Sequence, residues 1–370
     1  MQMDGVNGIT QCPIAPGDYF QYKFNVTQYG SSWYHSHYSV QYADGAVGPM
    51  TIHGPSSDEW DETINPPLIM TDWGHNSAFE AVATHQLLNR DILLNGRGNV
   101  TRYNNSITNE TTIQDPYSIT FERPRIGQAV KKYLLSIINT SFETTFVFSI
   151  DNHNLTVISA DFVPILPYKA SSILVGIGQR YNVIVEANPV VGYNGSSPLP
   201  DDWNFWIRTQ ESDCFRQKPG SDGYEKTGIL RYNNSIQTMP SSQIWSDIPT
   251  NCSDEDYSNL HPILEWDVPK IPANGNSKYH KTGEEFSISL NGPPNPPYPY
   301  PLARWTLGPD EPFSPIRVNY LSPTFLRLND SNWDSLERIV PENYSDKSWV
   351  RTSALFYMTV AYKCFTRYFS

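Results

Sequence analysis

Along this chain apolar and polar positions alternate in short runs, and long stretches repeating at the 3.6-residue period of an amphipathic helix are missing. From Tyr19 the segment "YFQYKFNV" alternates, breaks at "YGSS", resumes at "WYHSH", turns through "DGAVG" and ends as "PMTIHGP". That pattern predicts strand, turn, strand, loop, strand. The acidic, proline-bearing stretch "SSDEWDETINPP" then leads to "LIMTDWG", where a second series of strands begins. The series runs through "NRDILLNGRG", "KKYLLSIINTS", "FVFSIDNHNLTVISADFVPI", "SILVGIGQRYNVIVEA" and "DDWNFWIRTQ", each bounded by Gly, Asn, Asp or Pro. After Tyr232 the chain reads as loop through Cys252. Then "PILEWDV", "EEFSISLNG", "ARWTLG", "PIRVNY" and "PTFLRLN" open a third series, with "NGPPNPPYPYP" as a loop or polyproline II connection. The predicted units are residues 1–60, 66–235, a linker over 236–260, 261–350, and an aromatic tail over 351–370 without turn punctuation.

Composition turns this pattern into a class. Aromatic residues make up 13% of the 370 residues and prolines number 30, so the chain reads as all-β, built as sandwiches or barrels of short strands. Only 17% of residues are charged and the net charge is −12, which argues against nucleic acid or an anionic membrane surface as a partner. No apolar run reaches the roughly 18 to 20 residues of a membrane span. Asn-x-Ser/Thr sequons stand at Asn25, Asn99, Asn104, Asn109, Asn139, Asn154, Asn194, Asn233, Asn251, Asn329 and Asn343, a density expected of a glycosylated, secreted protein. The four cysteines, Cys12, Cys214, Cys252 and Cys364, are compatible with one or two bridges, and no CxxC spacing suggests a zinc ribbon. The start "MQMDGVNGITQ" has neither the basic nor the apolar region of a signal peptide, so the secretion leader is expected to be missing from this chain.

The chemistry concentrates in "YHSH". In a strand, residues i and i+2 share a face about 7 Å apart. His35 and His37 are therefore expected to project together, with Ser36 as a spacer, and two such imidazoles can bind one metal or one each of two neighbouring metals. His-x-His alone is a weak sign, because surface or internally satisfied histidines give the same spacing. Five of the other six histidines, His53, His75, His153, His261 and His280, lie singly and read as structural.

The longer string "GSSWYHSHYSVQYADGAVGPMTIHGP" resembles the second copper-binding motif of multicopper oxidases. Further segments are similar to laccase-like enzymes of filamentous fungi, up to about Trp349: "MDGVNGITQCPIAPG", "MTDWGH", "ILLNGRG", "NHNLTVISADFVPI", "GQRYNVIVEA" and "NFWIRTQ". The resemblance implies consecutive cupredoxin-like Greek-key domains, the first and third incomplete here. It also implies copper as cofactor, and one-electron oxidation of diphenols and other aromatic substrates coupled to reduction of dioxygen to water. By the same resemblance His35 and His37 bind the paired type 3 coppers, and Asp4 relays protons to the trinuclear cluster. Asp161 faces the phenol pocket, and Cys214 pairs with Cys252 across the end of the second domain. Asp4 in its Asp-Gly pair and Asp161 can each equally be turn residues. Asp44, in a second Asp-Gly pair, is expected to fix its loop.

The sequence departs from the family in one respect that matters for activity. The family pattern draws ten histidines and one cysteine from four motifs, and only the second is present among the eight histidines here. Cys364 in "YKCFTRY" has no flanking histidine to make a type 1 ligand set. The chain is therefore expected to be truncated at both ends and inactive as an isolated fragment. The alternatives are a truncated cupredoxin-like copper-binding or interaction protein without turnover, and a ferroxidase or ascorbate oxidase of the same family.

Overall fold

The computed structural model describes residues 5, 13–38, 40–74, 76–84, 90–98, 116–191, 199–213, 225–246, 248–251, 253–264, 288–291 and 304–307. The first elements are β1 (Gly30–His35) and β2 (Val47–Ile52), an antiparallel pair in which His35 lies opposite Val47 and Tyr34 opposite Gly48. The expected strand over "YFQYKFNV" does not form. Residues 19–27 are exposed and belong to no strand, because alternation makes a strand only where a neighbouring edge takes its backbone hydrogen bonds.

The second portion supplies β3 (Glu62–Thr63), β4 (Leu68–Gly74), helix α1 (Ala78–Thr84), β5 (Arg90–Leu94), β6 (Tyr117–Thr120), β7 (Lys132–Asn139), β8 (Phe146–Ile150), β9 (Leu155–Ala160), β10 (Val163–Ala170), β11 (Ser172–Val175), β12 (Arg180–Glu186), β13 (Asn204–Glu211) and β14 (Lys226–Arg231). One sheet has the order β10-β9-β12-β7-β4-β5, with β3 beside β7, and the other has β11-β8-β13-β14-β6. The sheets pack face to face. On β7, Tyr133, Leu135 and Ile137 point into the core shared with Phe146, Phe148, Ile150, Phe205 and Ile207 of the opposite sheet. Leu134 points the other way and joins Ile158 of β9 and Ile184 of β12 in a smaller cluster capped by Trp60. Burial on both faces is why "KYLLSIIN" reads as continuously apolar rather than alternating. β1 packs across that outer side, against β12 and β7.

The short helix α1 was not foreseen from the sequence. Its seven residues are too few for a helical period to stand out, and its first turn is held from a distance. The Asp44 carboxylate accepts hydrogen bonds from Ala78 N–H at 2.6 Å and Ser77 Oγ at 2.9 Å. Asp44 thus fixes its loop, as expected.

After β14 the chain runs as loop along the sandwich. Ser242 Oγ donates to Asp151, Trp245 Nε1 donates to the Ile150 carbonyl, and Glu255 accepts from Tyr168 Oη and Leu174 N–H. It then extends the sheet edge, with Leu166 N–H donating to the His261 carbonyl and Ile263 N–H to that of Pro164. Farther on, β15 (Ile288–Asn291) and β16 (Arg304–Leu307) pair antiparallel. The expected strands "PIRVNY" and "PTFLRLN" and the tail over 351–370 lie outside the described residues.

Candidate metal centre

Strand β1 places Ser31, Trp33 and His35 on one face, and their exposure rises from buried to exposed along it. The Trp33 ring stacks on the His35 ring at 4.3 Å and 29°, and Tyr42 meets His35 edge-on at 5.9 Å. On the other face Tyr34 lies over Gly48, where an added Cβ would come within 2.3 Å of the phenol ring. The bare backbone opposite Tyr34 is what lets its ring lie flat on the hairpin.

The strand ends at His35, so the expected in-strand pair is corrected: His37 stands beyond β1. Ser36 N–H still donates to the Ala46 carbonyl at 2.9 Å, after which the chain turns away. Ser36 is more than a spacer. Its hydroxyl donates to Gln41 Oε1 at 2.6 Å and accepts Tyr38 N–H at 3.2 Å, tying the turn between the histidines to the loop that follows. The two imidazole rings are 5.9 Å apart at 31°, and both residues are exposed. His35 Nδ1 sits 3.1 Å from the Ser36 carbonyl. A carbonyl can only accept, so Nδ1 is the donor in this contact, the tautomer that in a neutral ring leaves the Nε2 lone pair for a metal.

Asp161 sits in the turn between β9 and β10 with φ +52°, a conformation Asp tolerates better than most residues. Its Oδ1 accepts Arg180 N–H at 3.0 Å and pairs with Arg180 Nη1 at 3.0 Å, and its own N–H donates to the Arg180 carbonyl. Asp161 is thus a turn residue whose carboxylate is half-exposed. Asp4 and all four cysteines lie outside the described residues, as do His75 and His280. Asp213, next to Cys214, does meet Thr250, two positions before Cys252. Asp213 N–H donates to the Thr250 carbonyl at 2.7 Å, and Thr250 Oγ1 donates to Asp213 at 2.8 Å.

His153 is buried. Its Nδ1 donates to the Asp151 carbonyl at 2.8 Å, so its Nε2 accepts from Tyr232 Oη, also at 2.8 Å. Burial pushes its pKa down to about 4, with the Asp151 carbonyl bond opposing. This histidine is structural. Asn139 is removed from the glycan sites: it is fully buried, and Nδ2 spends its hydrogens on the carbonyls of Thr144 and Val175. Asn25, Asn154, Asn233 and Asn251 are exposed, and the other sequons lie outside the described residues.

Sequence reasoning gave no role to Gln41, Arg180, Asn182 or the buried Asp151–Arg208 pair. For the pair there was a signal, a charge inside each of two otherwise apolar runs. For the other three the partner is far along the chain or chemically commonplace.

Two multicopper oxidase profiles match the chain, one over residues 1–57 and one over residues 65–235. A laccase of Arthroderma benhamiae is 38% identical over 355 residues, covering 94% of this chain and 52% of the relative. Laccase-3 of Botryotinia fuckeliana is 33% identical over 352 residues, 91% of this chain and 67% of the relative. The chain belongs to the multicopper oxidase family. The crystal structure of the laccase from Botrytis aclada superposes with a TM-score of 0.64 at 36% identity, covering 83% of this chain and 50% of that one. This multicopper oxidase chain is accordingly all-β and cupredoxin-like, and it spans about half the length of the first relatives it matches.

The donor set of this multicopper oxidase chain fits copper as far as it goes. Two exposed imidazoles, one with its Nδ1 turned to a backbone carbonyl, are ligands suited to copper. Among the described residues no group of three or more His, Cys, Asp and Glu side chains comes together. Among the same residues no helix is long and apolar enough to cross a membrane.

Proposed function

We propose a laccase-type function: one-electron oxidation of diphenols and related aromatic substrates, coupled to reduction of dioxygen to water. The observation that carries it is the His35 and His37 pair at the end of β1, with Nδ1 of His35 turned to the Ser36 carbonyl and Nε2 facing away from it, set in the multicopper oxidase string. The names of the relatives favour laccase over ferroxidase or ascorbate oxidase chemistry. Copper, when bound, would supply the one-electron redox chemistry. His35 and His37 would hold it, while Ser36 and Gln41 keep the turn between them in place. Both Arg180 contacts go to Oδ1 of Asp161, so Oδ2 can accept a hydrogen bond from a phenolic hydroxyl. Asp4 is the proposed proton relay. The partners are then a small aromatic substrate and dioxygen, with neither nucleic acid nor membrane. The protein is secreted and carries glycans at exposed sequons such as Asn154, and a Cys214–Cys252 bridge is supported by the Asp213–Thr250 hydrogen bonds.

The donor set also favours a second reading, for residues 1–370 by themselves: copper binding without turnover. The purified chain and its His35→Ala/His37→Ala variant are titrated with Cu(II), and oxygen uptake is recorded with a diphenol. Uptake of copper by the first and not the second is expected, with no sustained oxygen consumption. Copper binding that ignores both substitutions sinks the assignment of the ligands. Continuous diphenol turnover by this chain would overturn the second reading.

A further inference from the structure

Arg180 joins the two halves of the structure. Its Nε donates to the Ser31 carbonyl of β1 at 3.0 Å, and its Nη1 pairs with Asp161 Oδ1 at 3.0 Å and donates to the Gly178 carbonyl at 3.2 Å. The guanidinium lies over the Phe162 ring at 4.9 Å, and only 14% of the side chain is exposed. Two positions on, Asn182 Oδ1 accepts the Ser31 hydroxyl at 2.5 Å. Both groups of Ser31 are thus held by the start of β12.

Ser31 shares its face of β1 with Trp33 and His35. Trp33 lies beside Gly178, 3.8 Å from where a Cβ would stand, and stacks on His35. A chain of direct contacts therefore runs from the Asp161 turn through Arg180 and Ser31, along β1, to the His35 ring.

We infer that Arg180 is a positioning residue: from the second domain it holds the strand that carries His35, and it ties that strand to the Asp161 carboxylate. This rests on the reading of His35 and His37 as copper ligands and Asp161 as the phenol-facing acid. The rigid fork of arginine suits the task, because three acceptors in three directions are served by one planar group. A lysine at 180 cannot bond the Ser31 and Asp161 oxygens together in that geometry.

The test uses the full chain with Arg180→Gln and Arg180→Lys, read by Cu(II) titration and by backbone amide exchange over 30–35 and over β7. Loss of a group that orients a metal ligand lowers affinity by about 10- to 100-fold. Arg180→Gln is expected to weaken Cu(II) binding by about tenfold or more and to speed exchange in 30–35, while β7 stays protected. Arg180→Lys is expected to fall between. Unchanged affinity, with or without faster exchange, overturns the positioning role, and so does equal loss of protection in β1 and β7, which would mark a general stability effect. If Arg180→Gln does not fold, Asn182→Ala, which removes only the acceptor of the Ser31 hydroxyl, is read the same way. If the wild-type chain binds Cu(II) independently of His35, the copper reading fails and affinity no longer reports on Arg180; faster exchange of 30–35 with β7 still protected then supports the hold of Arg180 on β1, and unaltered exchange overturns it.

Discussion

The hydroxyl of Ser36 lies 2.6 Å from Oε1 of Gln41, and this contact closes the turn that separates His35 from His37. Ser36→Ala removes both this donor and the acceptor of Tyr38 N–H. The histidine pair should then lose about tenfold in Cu(II) affinity, the usual scale for a group that orients a ligand. Ser36→Thr keeps the hydroxyl and should keep most of the affinity. Isothermal titration of the three proteins decides it, and equal affinities would leave the hydroxyl without a role at the site.

The His153–Tyr232 pair makes stability depend on pH. The buried imidazole has its pKa pushed from 6.5 to about 4, so the unfolded chain takes up a proton that the folded chain refuses. Its contribution is complete above pH 6.5, falls as pH drops through the window from 6.5 to about 4, and amounts to about 3 kcal/mol. Denaturant midpoints measured across that window should fall with pH in the wild-type chain. In His153→Gln the slope should flatten, and an equally steep slope there would assign the pH dependence elsewhere.

Arg208 and Asp151 form a buried two-pronged ion pair, with Nε to Oδ1 at 2.8 Å and Nη2 to Oδ2 at 2.9 Å. Ser242 Oγ donates to the same carboxylate, and Glu225 takes the remaining Nη1 of the arginine. Arg208→Met strands a buried carboxylate and should cost about 3 to 5 kcal/mol. The Arg208→Met/Asp151→Leu double variant should recover part of that loss. Thermal unfolding of both checks it, and a double variant weaker than the single one would contradict the account.

Gly30 opens β1 at φ +131°, and a Cβ there would stand 3.0 Å from the Asp161 carbonyl oxygen. Gly30→Ala therefore adds backbone strain and a close contact at the seam between β1 and the β9–β10 turn, at a cost of about 1 to 3 kcal/mol. Amide exchange over 30–35 should quicken while β7 is unaffected. Unaltered exchange would place the glycine outside the seam's energetics.

How much of this was legible in the sequence depends on the range of the interaction. The strands of the sandwich stood out because each fills a face of one core, so that "FVFSI" and "KYLLSIIN" announce their own burial. "YFQYKFNV" announced a strand just as clearly and formed none, since alternation describes side chains and says nothing about a partner edge. The two histidines were visible as a pair, whereas the exact end of β1 between them was not. That end is set by Ser36 and Gln41, whose residue types are common in any loop. Arg180 lies 149 positions from Ser31, and nothing local in "GQRYNV" points to it.

Asn139 carries a further consequence. Its sequon, Asn139-Thr140-Ser141, is legible to a glycosylating enzyme only while the chain is extended, because all three residues are buried once β7 is in place. A sugar attached there could not be accommodated beside the carbonyls that the amide already serves. For a chain made in a glycosylating compartment, synthesis thus becomes a race in which β7 must close before its own sequon is read.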